Sequence, residues 1–526
     1  MDDVDEEGAL APPVDPTPSG SDQASSSGHQ SFVLGGGRHI PVEDLYPQTS
    51  QRWFLWETYK TNIDPFIKVL DISDVDQMMR EAGQDTHSRK SETEALIFSI
   101  SFAAVASLED EEFESHFGMP KSQLLTKHQL ATEIALARAE YLTTQSLMTV
   151  QAFVIYLSIL PHVGAGQMAR PLTGLLVKLA ISMQLHHDGS YNAQTTPREV
   201  EIRRRLWWQV CFLDSRSKDP RFPYTMITEE MFDTALPSFN EQLDSTAGTD
   251  TGDSSIAICI LSCKIWKLVR TVEKMKHTNR NFALHYIRTV RREVDVQLLH
   301  KLENNGPLKS LTCTLADLVF AKMEMTLHKK PSASRSAGTG HEESSMFDSA
   351  LVIIRSVLVL KTRHDWKGWR WQIQGNVPWH AFGVVLRHVL VRPWDELSEE
   401  AWLPTKTLFG VISGEPQNEK IVGGGMWKQL SKMVARVDRQ KHTPMISYSS
   451  TDTSWDMSSG DWPETVASMP SLNRTTDEID DLARSTQEAP FSDYLGGGLG
   501  AVDTGFPSDI MDWSSTWDDF AAMPWF

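Results

Sequence analysis

Only four cysteines occur in 526 residues, Cys211, Cys259, Cys263 and Cys313, and their surroundings are largely apolar. That scarcity excludes a disulfide framework and suits a reducing compartment. Cys259 and Cys263 are the one close pair, and without a second pair this spacing cannot assemble a tetrahedral zinc site. Long apolar runs are missing too: 351–360 is broken by Arg355 and 172–185 carries Lys178, so neither reaches spanning length. The chain opens with Asp2, Asp3, Asp5, Glu6 and Glu7, the reverse of a basic secretory n-region. Positive charge is in deficit, with a formal net charge of -19, which excludes a surface tuned throughout for phosphate. No HExxH, GxSxG or paired CxxC occurs, and the glycine triplets at 423–425 and 496–498 lack the Lys-Ser/Thr of a phosphate-binding loop. The chain is therefore expected to be soluble, intracellular and not an enzyme. No catalytic, cofactor-binding or metal-binding residue is expected, and no cofactor.

What charge there is lies unevenly. Beyond His442 stand fifteen Asp or Glu against two Arg, Arg474 and Arg484, a balance of -13 that leaves -6 for everything before it. Trp455, Trp462, Trp513, Trp517 and Phe520 punctuate this acidic stretch. Like charges keep such a segment solvated, leaving its aromatics available to a partner's groove, the composition of an activation segment. Residues 438–526 are thus expected to be a disordered acidic and aromatic tail. Residues 1–50, rich in Asp, Ser, Gly and Pro, bury too little apolar surface to offset ordering and are expected to be disordered as well.

Between them, residues 51–437 form an all-α region. Apolar residues recur at helical spacing over 92–108, 124–142, 147–160, 256–272, 282–299, 308–327, 346–360, 379–391 and 426–437. Pro171 is expected to open a further helix that Gly189 stops. No strong period-two segment appears, 248–255 is a polar break, and 331–345 is a Ser/Gly/His-rich flexible insertion.

The most informative stretch is Glu201-Ile202-Arg203-Arg204-Arg205-Leu206-Trp207-Trp208, followed by Leu213-Asp214-Ser215-Arg216. Thr196 suits an N-cap, Pro197 the first helical position, and Glu199 completes a capping box. Ile202, Leu206, Val210 and Leu213 then form one apolar stripe. Glu199 and Glu201 lie four residues before Arg203 and Arg205, so these cations have partners on their own helix. The triplet reads as a packing signature and not as a phosphate contact. Asp214 and Arg216 are expected to join it in an internal ion-pair network. Adjacent helical side chains diverge by about 100°, so His186-His187-Asp188 does not converge on a metal. Its histidines instead suit the negative end of a helix. His380 beside Trp379 reads as a hydrogen-bonded core residue.

Taken in order, a set of motifs resembles the regulatory (middle homology) domain of fungal zinc-cluster transcription factors. They are Glu94-Ala95-Leu96 with Ala103-Ala104-Val105-Ala106-Ser107, then Gln151-Ala152-Phe153-Val154-Ile155-Tyr156-Leu157, and Thr173-Gly174 with Leu185-His186-His187-Asp188-Gly189. The arginine block, Asp214-Ser215-Arg216, Phe232-Asp233-Thr234-Ala235-Leu236-Pro237, Trp371, Trp379-His380-Ala381, Ala401-Trp402 and Met426-Trp427 follow. The resemblance spans roughly 51–437. It implies an all-helical domain that restrains or tunes attached DNA-binding and activating segments. It further implies a nuclear regulator, shuttling with the cytoplasm, that controls a secondary-metabolite gene cluster. Its tail would meet the transcription machinery or co-activators. The family's N-terminal six-cysteine cluster has no counterpart here: the first cysteine is Cys211, and residues 1–50 hold one cation, Arg38. The expectation is a co-regulator that reaches DNA through a DNA-bound partner protein or a homo-oligomer, or else a sequence lacking an upstream coding segment. The alternative is a module that senses a metabolite or partner without promoter contact.

Overall fold

A computed structural model describes residues 45–81, 90–110, 113, 117–217, 225–239, 252–275, 279–300, 302, 306–328, 340–373, 377–414 and 424–442. Among these residues every regular element is helical and none is a strand. The first half holds α1 (Thr49–Thr58), α2 (Ile72–Glu81), α3 (Ser91–Ser107), α4 (Lys121–Arg138), α5 (Leu147–Ile159), α6 (Gly166–Ser182) and α7 (Pro197–Arg216). The second holds α8 (Gly252–Met275), α9 (Arg280–Val294), α10 (Pro307–Leu327), α11 (Gly340–Thr362), α12 (Trp379–Val391), α13 (Glu396–Gly414) and α14 (Gly425–His442). A π turn, Tyr59–Ile63, extends α1, another, Asp295–Leu299, extends α9, and a 3-10 segment, His364–Ile373, follows α11.

Two cores follow from the distribution of apolar residues. Helices α3 and α5 are apolar or small on every side, so they lie at the centre of the first core and are buried all round. Their hydroxyls bond back to their own helices, Ser101 Oγ to the Ile97 carbonyl and Ser158 Oγ to the Val154 carbonyl, both at 2.8 Å. Helices α1, α4, α6 and α7 close around them through Leu55, Trp56, Leu136, Leu176 and Trp207. The second core joins α9 to α14 through Ile287, Leu315, Ile354, Val385, Leu408 and Val434. Helix α8 is the shared wall: Cys259, Cys263 and Trp266 face the first core, while Leu261, Ile265, Leu268 and Val272 face the second.

The 3-10 segment crosses back as a second tie. Trp369 Nε1 donates to the Thr61 carbonyl at 2.8 Å and Trp371 Nε1 to the Asn62 carbonyl at 3.1 Å. Arg370 and Lys367 both reach Glu109 at 3.3 Å. The Asn62 side chain lies so close here that a Cβ on Gly368 would collide with its Oδ1.

Several boundaries differ from the sequence expectation, each for a local reason. Helix α6 begins at Gly166 with Pro171 inside it and ends at Ser182, well before Gly189. Leu185 is fully buried, and its N–H bonds the Ala180 carbonyl while the Gln184 N–H bonds that of Ile181. This is a Schellman turn with Gln184, at φ 59°, in the position glycine usually takes. Gly189 opens a short 3-10 turn, Gly189–Tyr191, instead. Helix α4 stops the same way: Glu140 sits at φ 50°, Tyr141 is buried, and the Tyr141 N–H bonds the Leu136 carbonyl. Helix α13 forms despite Pro404. Folding begins before residue 51, since Leu45 is buried and Tyr46 Oη donates to Glu94 at 2.7 Å. Residues 340–345 of the expected insertion belong to α11, and 438–442 of the expected tail belong to α14. The expectations for 1–44, 329–339 and 443–526 lie outside the described residues.

Candidate functional site

Helix α7 starts as its sequence requires. Thr196 Oγ1 accepts from the Glu199 N–H at 3.2 Å and Pro197 follows at the first helical position. Ile202, Leu206, Val210 and Leu213 are buried, together with Trp207 and Trp208. The three arginines splay from this buried helix in three directions, and each meets a protein acceptor.

Arg203 donates to the Met183 carbonyl at 2.8 Å, at the end of α6, with Glu199 4.0 Å away. Arg204 grips Asp188 with two bonds of 2.8 Å. Arg205, whose side chain is 0% exposed, donates to Glu201 at 3.0 Å and to the Ser238 carbonyl at 3.2 Å. The guanidinium of Arg204 holds the Asp188 carboxyl far below the usual carboxylate range, helped by N–H donors at Ser190 and Ala235. Asp188 in turn keeps Arg204 firmly protonated.

These charges secure a strap, residues 225–238, that has little regular structure of its own. Such a strap must find partners for its backbone N–H groups when it is covered. Asp214 takes the Met226 and Ile227 N–H groups at 3.0 and 2.9 Å. Asp188 takes that of Ala235 at 2.8 Å and Glu201 that of Ser238 at 3.0 Å. Trp208 Nε1 donates to the Ala235 carbonyl at 2.9 Å. Phe232 packs edge-on against Trp207 and Trp208 at 5.5 Å and against Trp266 at 6.0 Å. Arg270 lies over the Trp266 ring at 4.6 Å.

Two expectations change. Asp214 anchors the strap's backbone instead of joining the arginine triplet. Arg216 forms no ion pair with the triplet's carboxylates; burial lowers it to about 10, and burial, with Arg216 adding, pushes neighbouring His162 down to about 3. The histidines also differ in setting, because α6 has already ended before them. His186 and His187 lie ring to ring at 4.0 Å, and His187 approaches Asp233 at 3.5 Å. His380 is half-buried in the first turn of α12.

Helical spacing identified Glu201 with Arg205, but nothing local links Arg204 to Asp188 sixteen residues earlier or to the strap beyond. Asp188 was visible as the neighbour of two histidines and as part of a family pattern, and Phe232–Pro237 only as the latter. Chemically the assembly is a neutralised clamp. Among the described residues no group of three or more His, Cys, Asp or Glu could hold a metal.

Comparison with known families matches residues 55–296 to the fungal specific transcription factor domain. The chain is 27% identical over 387 residues to the aurofusarin cluster transcription factor aurR2 of Gibberella zeae, covering 70% of this chain and 58% of that protein. It is 22% identical over 502 residues to the C6 finger domain transcription factor nscR of Aspergillus fumigatus, covering 89% and 63%. It is 29% identical over 205 residues to the pyriculol/pyriculariol biosynthesis cluster transcription factor 1 of Pyricularia oryzae, covering 38% and 27%. The chain thus spans less than two thirds of the length of each of these relatives.

Proposed function

We propose that residues 55–296, which match the fungal specific transcription factor domain, make this chain a member of that family and not an enzyme, and that it regulates transcription of a biosynthetic gene cluster. Membership implies action in the nucleus. The observation that carries the proposal is low-identity homology over 387 residues to a named cluster regulator. Among the described residues no helix is long and apolar enough to cross a membrane.

In this proposal the helical domain is a scaffold and residues 443–526 are the activating segment. The arginine block is assigned no DNA contact, because each of its guanidinium groups is bonded inside the fold. Phosphate binding draws its affinity from exposed cations that release counterions. Contact with promoters is therefore assigned to a DNA-bound partner or to another segment of the regulator.

The tail is tested by fusion to an unrelated DNA-binding domain. Residues 443–526 should activate a reporter, and replacing Trp513, Trp517 and Phe520 with Ala should abolish the activation. A silent fusion contradicts the assignment of the tail.

A further inference from the structure

Positive charge is scarce in this chain, and one helix concentrates it. Helix α14 carries Lys428, Lys432, Arg436, Arg439 and Lys441 against Asp438 alone, in a chain of net charge -19. Its apolar stripe, Trp427, Leu430, Met433, Val434 and Val437, is buried in the second core. Successive helical residues turn by about 100°, so Lys428, Lys432, Arg436 and Arg439 fall within an arc of about 80° on the side away from that core. All four are exposed, as is Ala435 between them. Among the described residues Lys428, Lys432 and Arg436 enter no ion pair or side-chain hydrogen bond.

The surroundings do not cancel this row. Asp438, on its flank, is held by Lys406 of α13 at 2.7 Å. Helices α12 and α13 pack beside α14, with Trp379 and Phe409 against Trp427 at 5.9 and 4.6 Å. Neither α12 nor residues 401–414 of α13 contains an Asp or Glu. Carboxylates return at the start of α13, where Glu399 pairs with Lys441 past the end of the row and Glu400 with Arg355.

We propose that the outer face of α14 contacts the phosphate backbone of duplex DNA without reading its sequence. From Lys428 to Arg439 the row rises about 17 Å, a length over which one strand of a duplex presents about five phosphates. Its lysines act as point charges, which suits phosphate oxygens and carries no base code. A membrane surface fits less well, because the apolar face that would enter it is already spent on the core. A protein partner fits less well too: interface centres are depleted in lysine and built on apolar anchors, and the row offers only Ala435. The contact rests on the transcriptional reading for its purpose, adding affinity at a promoter that a DNA-bound partner selects.

The test follows the anisotropy of a fluorescent duplex of about 20 base pairs titrated with the full chain, from about 50 to 200 mM salt. Three free cations predict a slope of log affinity against log salt of about -2.7, a roughly fortyfold loss over that range. Two duplexes of unrelated sequence should bind equally. Each of Lys428→Gln, Lys432→Gln and Arg436→Gln should make the slope shallower by about 0.9 at an unchanged urea midpoint, and Arg292→Gln on α9 should leave it alone. No binding at the lowest salt, a slope untouched by the three α14 substitutions, preference for one duplex sequence, or binding to phosphatidylserine vesicles in place of DNA would each overturn the proposal. Duplex binding of the expected slope beside a uniform chromatin background would instead fail the transcriptional reading alone.

Discussion

Arginine 205 shows how far charge can be turned inward. With its side chain fully buried beside Glu201, which is itself 3% exposed, the pair persists because each partner supplies what the other lost on leaving water. Removing one partner strands the other, which costs more than the pair contributes. Arg205→Ala should therefore lower unfolding stability by about 3 kcal/mol, measured by urea denaturation. Arg203→Ala, which removes one bond to the Met183 carbonyl, should cost about 1 kcal/mol. Equal, negligible losses would point back to a solvent-facing triplet. His128 offers a second test at this scale. It is buried in α4 against α3, and burial, with Lys127 adding, lowers it from 6.5 to about 4. The unfolded chain takes up a proton near pH 6.5 and the folded chain does not. Stability is thus complete above pH 6.5 and falls as the pH drops toward 4, by about 3 kcal/mol in all. His128→Leu should flatten that part of the pH dependence in urea midpoints measured from pH 7.5 to 4.5. A slope unchanged by the substitution would show that His128 is already solvated. Residue spacing alone exposed Glu201 and Arg205, because both lie on one helix. Asp188 was hidden because its partner is fixed by the fold and not by the local chain.

At the scale of elements, periodicity located helices better than their ends. Apolar spacing carried α3, α5, α10 and α12 to within a residue or two of their observed bounds, since burial decides where those helices run. The ends of α4 and α6 depend on which following residue is buried. Tyr141 and Leu185 fold back, and Glu140 and Gln184 absorb the left-handed backbone. That conformation costs a non-glycine residue about 1 kcal/mol. Gln184 is exposed, so Gln184→Gly should raise stability by about that amount, read as a higher urea midpoint; a lower midpoint would mean its side chain contributes to the turn. Helix α13 escaped notice because Pro404 looks like a terminator, yet Ala401, Trp402, Thr405 and Leu408 bury its inner face. The 3-10 crossing shows the opposite dependence. Gly368→Ala would force Asn62 aside and break its bond to Ser107, 3.1 Å in length. The expected loss is about 1 kcal/mol, and it should vanish when Asn62 is already Ala. Additive losses in that double-mutant cycle would deny the contact.

For the whole molecule, one helix serving two cores has consequences for how the chain can be divided. The family match ends at residue 296, while the second core is completed by α10 to α14. A fragment stopping at 296 would expose Leu261, Ile265, Leu268 and Val272 of α8, and it should aggregate in size-exclusion chromatography where the full chain does not. The all-α class and the central helices were legible from composition and spacing. The division into two cores was not, because it depends on which face of α8 meets which neighbours. The central claim is that this assembly regulates transcription of a gene cluster. Its most direct test is genome-wide chromatin occupancy of the tagged full-length protein in its own cells. The account predicts enrichment at promoters of a contiguous set of biosynthetic genes. A uniform background across the genome would contradict it.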